Sequence, residues 1–322
     1  MRRGTLLMLV VLAGAAVVGL GVLLAVSKVR TQGELADVIH GLRARVARVQ
    51  TIEASFREDV KCSQALNTQR NAETRERDSH LPKENRVGAQ APGPFASRFR
   101  YATDGVRWRL EETALTDPPQ TPRHWDIVGS DGKKVYGYWV DQGTVFVSAY
   151  PGQDLAPRFT TSLGFLMLET PLQDLDTPGL KAFLAGAEYM DGEACCHVVG
   201  QGTFRAGKRR MASRLDLWVA PEKAFAVKRY RLSISHIGEG PFSVQDTMSE
   251  GLVEKAPGIW LPTRVQQTWL KLIDGQLQPA VSRTYTILDL KVNQPLDKSL
   301  FVPVLRKGMV VIDKTTGTQK VL

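Results

Sequence analysis

The sequence predicts a mainly β (α+β) protein: one large antiparallel sheet with a few helices covering its apolar face, preceded by an N-terminal transmembrane helix. Three observations carry this expectation. An uncharged run, Thr5 to Val26, lies near the start of the chain. From Thr51 onward, apolar residues recur mostly with a period of two, which places alternate side chains on one face of a strand. Asp-Gly pairs such as Asp131-Gly132 and Asp274-Gly275 separate these stretches, a strong hairpin signal.

As a helix, Thr5 to Val26 would span about 33 Å, close to the ~30 Å hydrocarbon core of a bilayer. A cleaved signal peptide has a shorter apolar region, of about 7–15 residues. Ala25-Val26-Ser27 is a poor cleavage site because Lys28 follows at once. No cysteine ends the run, which excludes a lipoprotein anchor. An uncleaved anchor over residues 1–30 is therefore favoured over a cleaved signal. Arg2 and Arg3 flank one side, and Lys28, Arg30, Arg43, Arg45 and Arg48 the other. Charge bias alone would put the C-terminal part inside the cell, although large domains cross regardless of such charges.

Glu34 to Gln50 reads as an amphipathic helix, with Leu35, Val38, Ile39, Leu42, Val46 and Val49 on its stripe and Arg43, Arg45 and Arg48 off it. The period then changes, and Ile52, Ala54 and Phe56 share one strand face. Residues 63–94 are rich in Arg, Glu, Asn, Gln and Pro without an apolar period, so a polar, mobile insert is expected there. Phe99 and Tyr101, then Val106, Trp108 and Leu110, alternate with Arg98, Arg100, Arg107 and Arg109. Strands follow at His124 to Val128, Lys133 to Val140 and Thr144 to Ser148. Asp176-Thr177-Pro178 is a helix-start pattern, and Leu180, Phe183 and Leu184 would form that helix's stripe. Strands resume at Glu193 to Val199, Arg214 to Val219 and Ala224 to Ile234, with a turn near Pro221-Glu222. Gly258 to Leu272 and Leu277 to Leu290 flank Asp274-Gly275, and a helical turn is expected at Pro295 to Ser299. Length alone suggests about two domains. The unbroken meander argues instead for one sheet over residues 31–322.

The hydrophobic content of 43% and charged content of 23% suit a folded protein with a sizeable core. The net charge of +9 admits nucleic acid, an anionic membrane surface or an acidic partner. The cations are interleaved with acids, the densest run (Lys208-Arg209-Arg210) is short, and no nucleic-acid motif is present, so nucleic acid is not expected. The three cysteines, Cys62, Cys195 and Cys196, are too few for a disulfide scaffold, and only one of the adjacent pair could easily meet Cys62. The five histidines (His40, His80, His124, His197 and His236) show no metal-ligand spacing. No nucleophile elbow, phosphate loop or dinucleotide fingerprint occurs. Cys195 and His197 would share a strand face, a weak basis for a nucleophile and base. No catalytic residue, cofactor or metal is expected.

Three stretches resemble one family. Leu42 to Val60 resembles the opening helix and first strand of the LolA-like outer-membrane lipoprotein carriers, with Glu53-Ala54-Ser55-Phe56 matching their small-residue strand. Asp126 to Tyr138, with Ser130-Asp131-Gly132-Lys133, resembles the family's hairpin. Phe301-Val302-Pro303 with Lys307 to Asp313 resembles its finish. The resemblance implies a strongly curved, unclosed half-barrel with helices on its concave face and an apolar cavity for acyl chains between them. It implies an acyl lipid or lipoprotein as partner, with Phe56, Phe99, Tyr101, Trp108 and Tyr138 as candidate lining residues. It also places the domain in the periplasm, tethered to the inner membrane, or free there if the signal is cleaved. The chain departs from the carriers in its tether, its insert at 63–94 and its greater length. It also has Ala102 where they carry a lid-closing Arg, so no lid residue is carried over. An envelope sensor or protein-interaction module on the same fold is the alternative reading, and a secreted enzyme is the third.

Overall fold

The computed structural model describes residues 34–64, 68, 94–115, 127–139, 143–149, 170–207 and 209–322. The expected membrane span at Thr5 to Val26 and nearly all of the 63–94 insert lie outside these residues. No helix among the described residues is long and apolar enough to cross a membrane.

Helix α1 covers residues 34–48, within the amphipathic stretch. The first half of the sheet is built from β1 (Ile52–Cys62), β2 (Phe95–Thr103), β3 (Trp108–Ala114), β4 (Ile127–Ser130), β5 (Lys134–Trp139) and β6 (Thr144–Ala149). A six-residue helix α2 (Thr170–Leu175) separates these from the second half: β7 (Lys181–Met190), β8 (Glu193–Ala206), β9 (Arg209–Ala220), β10 (Ala226–His236) and β11 (Pro241–Glu250). A short ribbon of β12 (Val253–Ala256) and β13 (Ile259–Leu261) follows, then β14 (Arg264–Ile273) and β15 (Gln276–Val292). A 3₁₀ turn, Lys298–Phe301, leads to β16 (Val310–Asp313) and β17 (Thr318–Val321).

Fifteen of these strands form one unclosed, curved sheet in the order β17-β16-β6-β5-β4-β3-β2-β1-β15-β14-β11-β10-β9-β8-β7. The two halves meet where β1 pairs antiparallel with β15, from Ile52 opposite Val292 to Cys62 opposite Val281. Every neighbouring pair is antiparallel except β6 and β16, which run parallel because the chain crosses back from β15 before adding β16 at the far edge. The Asp274-Gly275 hairpin forms as expected, with both residues at positive φ (51° and 76°), as a primed two-residue turn requires.

α1, α2 and the ribbon cover the concave face. Val46 of α1 packs against both main apolar clusters, one centred on β1–β5 and β15, the other on β8–β10. Gly41 of α1 lies directly against the Phe225 ring, and a Cβ there would overlap three ring atoms. Gly41→Ala therefore gains helix propensity but must displace the ring. We expect a net loss of about 1–2 kcal/mol, read as a lower urea midpoint with unchanged slope.

Four expectations are corrected. Leu180, Phe183 and Leu184 do not form a helix; Phe183 and Leu184 belong to edge strand β7, which pairs with β8 through a bulge between Leu184 and Gly186. The helix instead opens at Thr170-Pro171, the same Thr-Pro signal one step earlier in the chain. Arg45, off the apolar stripe, is 1% exposed, and its Nη2 donates to the Trp260 carbonyl at 3.1 Å, so the ribbon and not solvent receives it. Val106 lies in the β2–β3 turn and is 65% exposed. Strand β11 carries weak alternation and was not expected from the sequence.

Candidate functional site

The candidate site is the concave face. Phe56 on β1, Phe99 and Tyr101 on β2 and Trp108 on β3 lie together there. The Phe56 and Phe99 rings stack at 5.1 Å, and Tyr285 of β15 meets Phe56 edge-on at 6.2 Å. Ile259 and Leu261 of the ribbon, with Val46 of α1 and Val49 just after it, close over this cluster. Tyr138 is not part of it. On β5, Val135 faces the cluster and Tyr138 faces away, beside Tyr136, Val145 and Val311. There the Tyr136 hydroxyl donates to the Phe301 carbonyl at 3.0 Å, and burial pushes its pKa up to about 12. Of the five aromatic positions singled out from the sequence, the fold thus brings four together and places the fifth on the opposite face.

The sequence reading missed a polar row that crosses the concave face. In register from β15 to β10, Arg283 lies opposite Gln267, Gln267 opposite Thr247, and Thr247 opposite Tyr230. Arg283 Nη1 donates to Glu58 Oε1 of β1 at 2.9 Å, and its guanidinium lies 5.0 Å above the Trp269 ring. Burial opposes the Arg283 charge, but Tyr285 and Glu58 outweigh it and raise its pKa. At the other end the Tyr230 hydroxyl donates to Asp174 of α2 at 2.6 Å. Burial drives the Asp174 carboxyl above its ordinary range even though Tyr230 stabilises its charged form. The available signal was Glu58 itself, a charged residue in phase with Phe56 and Val60 in an alternating strand.

On the outer face, His197 sits between two carboxylates. Its Nδ1 is 2.8 Å from Glu188 Oε1 and its Nε2 is 3.0 Å from Asp216 Oδ1. The ring stacks on Trp218 at 4.4 Å, and Trp218 Nε1 donates to Glu188 Oε2 at 2.7 Å. Both carboxyls are held below the usual range. For Glu188 the Trp218 bond is the main cause; for Asp216 burial opposes, but bonds from Arg214 and His197 prevail. His197 is therefore engaged by acids and not by a cysteine. Burial pushes the Cys195 thiol up to about 11, which leaves little thiolate at neutral pH. Cys62, Cys195 and Cys196 are all unbonded thiols. Among the described residues no group of three or more His, Cys, Asp or Glu side chains could hold a metal ion.

No family model matches the sequence, and no curated protein matches it. Solved structures do. The chain is similar to a domain named as an outer membrane lipoprotein-sorting protein from Vibrio parahaemolyticus (TM-score 0.41, 9% identity, covering 82% of this chain and 95% of that one). It is similar to a DUF1329 family protein from Desulfovibrio piger (TM-score 0.39, 11% identity, 83% and 95% covered). It is also similar to the lipoprotein LppX of Mycobacterium tuberculosis (TM-score 0.30, 12% identity, 81% and 98% covered).

Proposed function

We propose that this chain is a membrane-tethered, extracytoplasmic protein that binds an acyl lipid or a lipoprotein on the concave face of its sheet. In this reading residues 1–30 hold it at the inner membrane and residues 31–322 lie in the periplasm. The observation that carries the reading is the imbalance between the sheet and its cover. The inner face of the fifteen-stranded sheet carries two apolar clusters with the polar row between them, and among the described residues α1, α2 and the ribbon lie over it. Ile234 and Trp269 face inward, are only half-buried and belong to neither main cluster. Each buried methylene contributes about 0.8 kcal/mol, so a sixteen-carbon chain gains roughly 10 kcal/mol before ordering costs. The polar row through Arg283, Gln267 and Thr247 offers hydrogen-bonding groups to the ester or amide where such a chain ends. Binding of this kind needs no catalytic group.

Native mass spectrometry with lipid extraction on the full chain in lipid-free detergent tests the proposal. Co-purifying acyl lipid is expected, and it should be lost in a folded Ile234→Glu, Trp269→Glu variant. A folded chain that is lipid-free and takes up no fluorescent fatty acid would overturn the reading. A stoichiometric protein partner in place of lipid would favour the sensor alternative.

A further inference from the structure

A recess of about 580 Å³ lies on the outer face, on strands β7 to β11, within the ~300–1,000 Å³ range of small-molecule sites. Lys181, Gln201, Thr203, Arg214, Ser233 and Ser235 contribute polar side chains from one face of the strands, and Ser213, of the opposite phase, also lines it. Register brings them together: Gln201 lies opposite both Lys181 and Arg214, and Arg214 opposite Ser233. These six positions alternate with Leu215 and Leu232, which face α1 and α2, so their side chains lie on the face opposite the concave one.

Its chemistry is one-sided. None of the lining residues is acidic or aromatic. Lys181 has no ion-pair partner among the described residues. Arg214 donates through Nε and Nη2 to Asp216 at 2.9 and 2.8 Å, which leaves Nη1 uncommitted among the described residues. Asp216 is itself fixed from behind by His197, so the guanidinium is oriented before any ligand arrives. Such preorganisation lowers the ordering cost of binding an anion. The surrounding sequence has the same sign. From Ala194 to Leu215 there is no Asp or Glu, but there are Arg205, Lys208, Arg209, Arg210 and Arg214.

We propose that this recess binds a phosphate-bearing, hydroxyl-rich group, with Arg214 and Lys181 on the phosphate and Gln201, Thr203, Ser233 and Ser235 on the hydroxyls. A phospholipid headgroup and a soluble sugar phosphate share this chemistry. The inference does not depend on lipid binding at the concave face.

Calorimetric titration of the full chain in uncharged detergent separates the sources. The probes are dihexanoyl phosphatidylglycerol, glucose 1-phosphate and inorganic phosphate. At least one organic phosphate is expected to bind ten-fold or more tightly than inorganic phosphate, and binding should weaken with added salt. Preference for phosphatidylglycerol identifies a lipid headgroup, and preference for glucose 1-phosphate a soluble ligand. Lys181→Gln and Ser235→Asp, neither of which touches the Arg214–Asp216 pair, should each weaken binding at least ten-fold and leave fatty-acid uptake unchanged. Inorganic phosphate binding as well as both organic probes, no binding of any probe, or binding indifferent to both substitutions would each overturn the proposal.

Discussion

Phe56→Ala is expected to destabilise the folded chain by about 3–5 kcal/mol, the range for deleting a large buried aromatic. Phe56 is 2% exposed and contacts rings from the strands on either side of β1: Phe99 stacked at 5.1 Å and Tyr285 edge-on at 6.2 Å. β1 is also the strand that joins the two halves of the sheet, so its neighbours cannot collapse inward without breaking register with β2 and β15. A cavity there stays open, which is why the upper part of the range applies. Phe56→Leu should recover more than half of the loss. Chemical denaturation of both variants, with and without bound fatty acid, is the measurement. If added fatty acid restores Phe56→Ala to wild-type stability, Phe56 lines a ligand space and is not a packing residue. Tyr138→Ala, on the opposite face, should lower stability without changing fatty-acid uptake.

The contrast between Phe56 and Tyr138 marks what the sequence could convey. Alternation along β1 to β3 put Phe56, Phe99, Tyr101 and Trp108 on one face because the alternate positions are largely charged: Glu53, Arg57 and Asp59 on β1, Arg98 and Arg100 on β2, Arg109 and Glu111 on β3. In β5, Val135, Tyr136, Gly137 and Tyr138 are all buried, so both faces look apolar and the phase is ambiguous. The return of Phe301 against Tyr136, with β16 added beside β6, explains this, and the Tyr136–Phe301 contact spans more than 160 residues. The same limit explains Arg45. Its position on α1 is off the stripe, but the ribbon of β12 and β13, more than 200 residues later, covers it. Desolvation there brings its pKa down to about 10, still charged at neutral pH. Residues 180–184 satisfied a helical spacing and a two-residue spacing at once. Pairing with β8 decided between them, as tertiary context routinely does over local preference. Beyond Glu58, the polar row that runs through Arg283 to Tyr230 was hidden for a related reason. Each member is an ordinary polar residue in its own strand, and only the register aligns them.

Asp216→Asn is expected to cost about 2–3 kcal/mol near neutral pH, because one nearly buried carboxylate anchors both Arg214 and His197. The figure is kept at the low end for a broken ion pair because the Arg214 side chain is 52% exposed and regains water when released. The pH dependence has a definite sign. Burial works against the Asp216 charge, but Arg214 and His197 outweigh it, so the folded-state pKa lies below the unfolded value of about 3.9. The unfolded chain therefore binds the proton more readily. The stabilisation is complete above that unfolded value and is lost as pH falls through the lower folded one. The stability gap between wild type and Asp216→Asn should hold at mildly acidic and neutral pH and narrow below about pH 4. Urea denaturation at several pH values from 3 to 7 measures it. A gap that stays constant down to pH 3, or one that is absent at pH 7, would show that Asp216 does not anchor the two bases. Loss of that anchor should also weaken phosphate binding in the outer recess, since Arg214 would no longer be oriented toward it before the ligand arrives.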